Sequence, residues 1–199
     1  MRPNKTLNHL KKVLRPGQVY RRSELVPLSS NISRHLVQLL AEGHLIKLSQ
    51  GLYSVPKETV FGKAPPDGHE MIKTFLKDDH FVVYSPSQFN GLELGMTQLY
   101  NLMIVFNRKR VGVFKLGGRT YTFYRWREAP KELTTEFLVV ELLHRLDMLA
   151  EDREQILAKL KTKIQQFDQR KLQYASQHYA TLATQKRLSS LIAGAQAPT

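Results

Sequence analysis

The sequence predicts an α+β fold, and three observations along its 199 residues support this class. Residues 1–55 alternate short helical and strand-like patterns and end in a hairpin signal. Residues 56–66 carry three prolines, which disfavour regular structure and indicate a linker. Residues 67–199 combine strand-like runs and a second hairpin signal with apolar-periodic stretches, which predicts a mixed α/β domain with a small antiparallel sheet and C-terminal helices.

The stretch 28–55 predicts a helix followed directly by a two-stranded hairpin. Ser29 or Ser30 can cap the helix by accepting a hydrogen bond from a free backbone N–H. Gly43 ends the helix, because glycine adopts a left-handed conformation at little cost. One apolar stripe recurs at helical spacing, formed by Ile32, Leu36, Leu39 and Leu40.

The hairpin turn is predicted at Gln50 and Gly51, where glycine supplies a positive φ. With that two-residue loop, the opposed pairs are Ser49 with Leu52, Leu48 with Tyr53, Lys47 with Ser54 and Ile46 with Val55. This register gathers apolar side chains on one face, with only Leu52 breaking the pattern, and the residues gathered there are Ile46, Leu48, Tyr53 and Val55.

The elements before this stretch complete a recognisable order. Thr6 can cap a first helix that ends at Pro16-Gly17, Val19-Tyr20 predicts a short strand beside the hairpin, and a short helix follows from Glu24. Helix, strand, helix, turn, helix and hairpin is the order of a winged helix-turn-helix domain, which binds DNA with its last helix and its hairpin, or wing. We place this domain at 1–58, the linker at 59–66 and the C-terminal domain at 67–199.

The charge of the chain favours a polyanionic partner over an ordinary surface element. Thirty Lys+Arg against seventeen Asp+Glu give a net charge of +13. Counted along the sequence, residues 1–66 carry +8, residues 67–150 carry +1 and residues 151–199 carry +4. Because the surplus coincides with the helix and hairpin, the sequence predicts duplex DNA as the partner.

Compartment and cofactors follow from what the sequence contains. It has no cysteine, so no disulfide and no thiolate metal site is expected. No apolar run approaches 18 residues and the N-terminus has no signal-peptide pattern, so we expect a cytoplasmic protein that does not enter a membrane.

The C-terminal domain is predicted from caps and short runs. Asp67 with Glu70 fits a capping box, residues 80–84 and 97–106 are strand-like, and Ser87 can cap a small helix between them. Gly117-Gly118 separates two further strands. Helices are predicted at 136–148, in one long stretch from Asp152 through Leu172, and at 175–192, before a frayed tail.

The predicted DNA contacts lie on the exposed face of the helix that ends at Gly43, on the short helix before it and on the wing. Arg34 can bond bidentately to guanine and Gln38 suits adenine, while residues near a helix N-terminus attract phosphate. Each could instead be a phosphate contact, a cap or a solvated side chain. The candidate set is Arg21, Arg22, Ser23, Ser30, Asn31, Ser33, Arg34, Gln38, Lys47, Ser49, Gln50 and Gly51.

A second basic surface is predicted where cations interleave with aromatic residues in the C-terminal domain. Such interleaving can bind single-stranded nucleic acid, but it also fits a half-buried sheet with charged edges. DNA, RNA and an acidic protein surface remain alternatives for this set, which comprises Arg108, Lys109, Arg110, Lys115, Arg119, Arg125 and Arg127.

No catalytic, metal or cofactor site is predicted. The seven histidines form neither H-x-x-x-H nor H-E-x-x-H, and nucleophile-elbow, phosphate-loop and dinucleotide motifs are absent from the sequence. Glu136 and Glu141 fall on a mostly apolar helix without a partner base. We therefore expect a protein that is not an enzyme and has no cofactor.

Short phrases in both halves of the chain carry a family resemblance. They are Gly51-Leu52-Tyr53 with Pro56-Lys57, Ser85-Pro-Ser87 with Gly91-Leu92, Leu116-Gly-Gly-Arg119, and Glu136-Phe-Leu-Val with Leu142-Leu143. Together they resemble the AbiEi family, bacterial antitoxins and autoregulators of AbiE-type, type IV toxin–antitoxin systems of phage defence. The resemblance implies a winged helix that represses its own operon at promoter inverted repeats. It also implies a C-terminal domain that counters a nucleotidyltransferase-like toxin.

Two other functions remain open at the level of sequence. One is a stand-alone winged-helix transcriptional regulator whose C-terminal domain senses a signal or oligomerises. The other is a nucleic-acid-processing enzyme. For the repressor, we expect a monomer or weak dimer that binds DNA cooperatively.

Overall fold

The computed structural model describes residues 5–60 and 62–196, the side chain of Gln196 excepted. It is a mixture of about 50% helix and 19% strand, with small antiparallel sheets and C-terminal helices. The predicted α+β class is confirmed at this level. Two compact units make up the chain: the first unit is Met1–Asp79 with Val113–Tyr121, and the second is His80–Gly112 with Thr122–Thr199.

The first unit begins with alternating helices and strands. These are α1 (Lys5–Val13), β1 (Val19–Arg21), α2 (Arg22–Leu25), a 3-10 turn (Val26–Leu28), α3 (Ile32–Ala41), β2 (Ile46–Ser49) and β3 (Leu52–Ser54). β1 and β2 both pair antiparallel with β3, so the strand predicted at Val19-Tyr20 joins the hairpin. The core beneath them contains Leu7, Leu10, Leu14, Leu25, Ile32, Leu36, Leu39, Leu45 and Tyr53.

α3 starts at Ile32, three residues after Ser29 and two after Ser30, the serines predicted to cap it. The Ser29 hydroxyl is buried, accepts a hydrogen bond from the backbone N–H of Asn31 (3.1 Å) and bonds to Nδ1 of His35 (2.7 Å). This local bond holds a turn ahead of the helix, so Asn31 takes the cap position. The predicted end is confirmed, because Gly43 adopts a φ of 71°.

The predicted register of the hairpin is wrong beyond its first pair. Ser49 opposes Leu52 as expected, but Lys47 opposes Tyr53 and Ile46 opposes Ser54. A β-bulge at Leu48 inserts one unpaired residue, which shifts every later pair by one position. The bulge lets Leu48 and Leu52 both be buried, at 6% and 2% exposure, whereas Ile46 is 38% exposed.

Regular structure also replaces the predicted linker. β4 (Lys57–Thr59) and β5 (Gly62–Ala64) form an antiparallel two-stranded hairpin. The Thr59 hydroxyl donates to the backbone carbonyl of Gly62 (2.7 Å), which supports the turn. The prolines Pro56, Pro65 and Pro66 flank the paired residues, so they do not remove any ladder hydrogen bond.

α4 (Gly68–Leu76) follows, and its predicted cap is confirmed: Asp67 Oδ1 accepts from the backbone N–H of Glu70 (2.9 Å). The chain then enters a four-stranded sheet in the order β6-β7-β9-β8. Its strands are β6 (Phe81–Tyr84), β7 (Met103–Asn107), β8 (Gly112–Leu116) and β9 (Arg119–Arg125). Gly117 and Gly118 turn the last hairpin with φ of 56° and 84°, as predicted.

Between β6 and β7 the structure departs from the predictions. The capping residue is Ser85 rather than Ser87, and it starts a 3-10 helix, Pro86–Leu92. Residues 97–102 are not a strand, because the Ser87 hydroxyl accepts from the Tyr100 backbone N–H (2.6 Å) and fixes that segment as a loop.

The helices of the second unit are shorter and more numerous than predicted. They are α5 (Thr135–Arg145), α6 (Arg153–Lys163), α7 (Gln169–Tyr179) and α8 (Leu182–Gln196), with 3-10 turns after α5 and α6. The long helix from Asp152 is broken because Asp168 accepts from the backbone N–H groups of Arg170 and Lys171 and starts a new one. α8 continues to Gln196, so part of the predicted frayed tail is helical, and residues 197–199 lie outside the described residues.

The second unit encloses its own core and a buried polar cluster. Tyr84, Glu141 and Arg145 are each at most 4% exposed. Arg145 Nε donates to Glu141 Oε2 and to Tyr84 Oη, both at 2.8 Å, and the Tyr84 hydroxyl donates to Glu141. Burial, together with the Glu141 carboxylate, raises the pKa of Tyr84. Glu141, for which the sequence offered no partner base, is held in a structural ion pair with Arg145.

No helix within residues 5–60 and 62–196 combines the length and apolarity needed to cross a bilayer.

Candidate nucleic-acid interface

α3 presents one polar, cationic face to solvent. Ile32, Leu36 and Leu39 anchor its other side in the core. On the outward side Arg34 is exposed, and Val37 is 67% exposed although it is apolar. An exposed β-branched methyl beside a guanidinium suits a DNA base edge, where thymine offers a methyl group and guanine offers two acceptors.

The start of α3 is shaped by the Ser29–His35 hydrogen bond described above. Since Ser29 takes the local bonding role, Ser30 and Asn31 remain exposed ahead of the first helical turn. The Asn31 side chain makes no capping hydrogen bond. Free backbone N–H groups at this end carry the positive end of the helix dipole, which favours an anion.

A shallow depression of about 490 Å³ opens at this helix start. Arg22 lines it, and its Nη2 donates to the Ser33 hydroxyl at 2.9 Å. The guanidinium therefore points along the N-terminal turn of α3. Five of the predicted contact residues come together around this depression, namely Arg22, Ser30, Asn31, Ser33 and Arg34.

Arg21 is used elsewhere. Its Nη1 donates to the backbone carbonyls of Thr74 and Phe75, both at 3.1 Å. These carbonyls lie in the last turn of α4, where a cation is favoured by the negative end of the helix dipole. The structure thus gives Arg21 a role in packing α4 against β1.

Ser23 is exposed on α2.

The hairpin β2–β3 is tied to α2 at its turn, because the Arg22 backbone N–H donates to the Gly51 carbonyl (2.9 Å). Lys47 and Gln50 are exposed, and Gly51 has a φ of 71° with open space around it. The Ser49 hydroxyl oxygen is buried, so it does not contribute to the exposed surface.

Gln38 differs from its expected exposure, whereas Tyr53 packs inward as predicted. Gln38 is half-buried and its amide oxygen is enclosed, so it is less accessible than Arg34. Tyr53, expected to pack inward, is 8% exposed and belongs to the core of the first unit.

The second basic set is divided between the two units. Lys115 and Arg119 lie in residues 113–121 of the first unit, and both are exposed. The second unit holds the others, which are Arg108, Lys109, Arg110, Arg125 and Arg127. The seven cations therefore do not all belong to one unit.

Sequence reasoning missed the residue that shapes part of this set. Asn107 is fully buried, and its Oδ1 accepts from the backbone N–H groups of Lys109 (2.8 Å) and Arg110 (2.7 Å). Its Nδ2 donates to the carbonyls of Arg110 and Tyr124. An asparagine at the end of an apolar run and ahead of three cations was the available signal, since asparagine side chains commonly close such turns. His35, at a helical position on the buried face, was missed in the same way.

Among solved structures, the chain is similar to the RV2827C protein from Mycobacterium tuberculosis. The two share 14% sequence identity with a TM-score of 0.56, over 96% of this chain and 76% of that chain. At this identity the similarity shows a shared fold and nothing about activity. No protein-family model and no curated protein matches the chain.

Proposed function

We propose that the protein is a DNA-binding transcriptional repressor whose first unit contains a winged helix-turn-helix, with α3 as recognition helix and β2–β3 as wing. The observation that carries the proposal is the outward face of α3. Arg22, Arg34 and the N-terminus of α3 lie around one depression at this face. The neighbouring hairpin carries the exposed Lys47. A positive face of this shape suits a major groove flanked by phosphates.

Charge accessibility supports the same proposal. Neither Arg34 nor Lys47 forms an ion pair or a side-chain hydrogen bond with any residue in the described ranges. Unpaired surface cations attract phosphates, and the DNA releases its condensed counterions when these cations bind. This distinguishes them from Lys11, which pairs with Glu42 at 2.5 Å and is less available to a ligand.

The direct test is binding of the full chain to duplex DNA from its own promoter region at several salt concentrations. If about six phosphates are neutralised, the logarithm of affinity falls with the logarithm of salt concentration at a slope near −5. A slope near zero, or equal affinity for promoter and scrambled duplexes at every salt concentration, would contradict the proposed repressor.

The resemblance to AbiEi antitoxins extends the proposal to a partner. On this proposal the protein represses its own operon and its second unit counters a nucleotidyltransferase-like toxin. Co-purification of the tagged protein with the product of a neighbouring reading frame tests this, together with growth rescue when that product is expressed. Promoter binding without any such partner would favour the stand-alone regulator instead.

A further inference from the structure

The tip of the β8–β9 hairpin belongs to the first unit although it lies more than 50 residues beyond β3 in sequence. Leu116 and Tyr121 are buried, at 1% and 3% exposure. The ring of Phe114 packs edge-on against Phe75 of α4, with centroids 5.1 Å apart. These contacts fix the tip as a structural part of this unit.

The tip meets the wing at the β-bulge. The Gly117 backbone N–H donates to the carbonyl of Leu48 at 3.0 Å. Leu48 is the bulged residue and has no partner in the β2–β3 ladder, so its carbonyl is free to accept from outside the hairpin. A Cβ on Gly117 would lie 3.0 Å from the Met71 sulfur and 3.7 Å from Leu48, so glycine permits this approach.

This arrangement adds two cations next to the wing. Lys115 and Arg119 flank the Gly117-Gly118 turn and are exposed, and the segment 113–121 contains no carboxylate. Neither side chain forms an ion pair or a hydrogen bond within residues 5–60 and 62–196. Lys47, immediately before the bulged Leu48, is the exposed cation of the wing itself.

We propose that residues 113–121 form a second wing of the DNA-binding surface, in which Lys115 and Arg119 bind duplex phosphates beside those bound by Lys47. This inference rests on the proposed DNA-binding function. The occupant follows from charge complementarity, since unpaired cations from two hairpins at one bulge match a row of backbone phosphates. Contacts to backbone phosphates carry no direct sequence information, so the contribution proposed for these two cations is independent of sequence.

The test compares two full-length double variants that remove the same charge. Lys115→Gln with Arg119→Gln alters the second wing, and Arg125→Gln with Arg127→Gln alters exposed cations of the second unit. For the first, affinity falls by a similar factor for promoter and scrambled duplexes, and the salt slope becomes shallower by about 2. For the second, the slope stays within about 0.5 of the unaltered protein.

Each outcome has a separate meaning. If the unaltered protein binds duplex DNA but both double variants keep its slope, or both lose it equally, the second wing is refuted while the repressor proposal stands. If the unaltered protein does not bind duplex DNA, the proposed function itself fails. Unchanged circular dichroism and thermal midpoint confirm folding, as expected for exposed side chains.

Discussion

At the scale of single residues, Arg34 is the predicted base reader. Arg34→Ala is expected to lose about 1–3 kcal/mol of binding free energy on the promoter site and to relax preference at one base position, because a bidentate contact to guanine is removed. Equilibrium binding to promoter and single-base variant duplexes measures both effects. Arg22→Ala is the matched comparison, since it should weaken binding to all duplexes alike. The same pattern in both variants would make Arg34 a phosphate contact.

Arg21 illustrates how a structure reassigns a cation. Its guanidinium donates to two carbonyls in the last turn of α4, so Arg21→Ala is expected to reduce the free energy of unfolding by about 1.5–3 kcal/mol. Urea denaturation measures this loss. The exposed Arg22→Ala should change stability by less than about 0.5 kcal/mol. Unaltered stability with uniformly weaker DNA binding in Arg21→Ala would restore the phosphate role expected from sequence.

At the scale of elements, the contact between the β8–β9 tip and the β2 bulge gives a paired prediction. Gly117→Ala and Gly118→Ala both place alanine at a positive φ, which costs about 1 kcal/mol. Only Gly117 has a close neighbour, the Met71 sulfur at 3.0 Å, whereas Gly118 faces open space. Denaturation should therefore show a loss of stability larger by about 1 kcal/mol for Gly117→Ala. Equal losses would mean that the tip does not pack on the bulge as described.

The same elements show where local patterns succeed. Gly43, Gly51 and Gly117 were predicted as helix end or turn, and each adopts a positive φ, because the requirement for a left-handed conformation is local. Asp67 caps α4 as predicted for the same reason. The predicted capping by Ser87 failed because Ser87 bonds Tyr100, thirteen residues away, and that pairing has no signal in the adjacent sequence.

At the scale of the whole molecule, each unit depends on its own core, and the buried Tyr84–Glu141–Arg145 cluster lies in the second. Glu141→Ala leaves the Arg145 guanidinium buried without its carboxylate, so a loss of about 3–5 kcal/mol in unfolding free energy is expected. Trp126, the single tryptophan, lies in the second unit and provides the fluorescence signal for this measurement. Glu132→Ala, at an exposed site, is the control and should change stability by less than about 0.5 kcal/mol. A comparable loss in both variants would argue against a specific role for the cluster.

From local patterns alone, the sequence predicts the α+β class, most element types and the exposed polar face of α3 with its cation Arg34. These depend on apolar periodicity, caps, glycines and charge, which act over a few residues. It also predicted that Val19-Tyr20 would join the hairpin, and β1 pairs with β3. The assignments to DNA contacts and to a repressor remain predictions.

Long-range packing, in contrast, sets the bulge at Leu48, the hairpin in place of the linker and the membership of residues 113–121 in the first unit. The bulge is favoured because it allows Leu48 and Leu52 to be buried together. A strict two-residue alternation along each strand does not predict this arrangement. The partner of the Leu48 carbonyl is Gly117, 69 positions later in the chain. Such long-range hydrogen bonds and packing have no local sequence signal. For the same reason the sequence could not distinguish Arg21, whose side chain binds α4, from its neighbour Arg22, whose side chain lies at the start of α3.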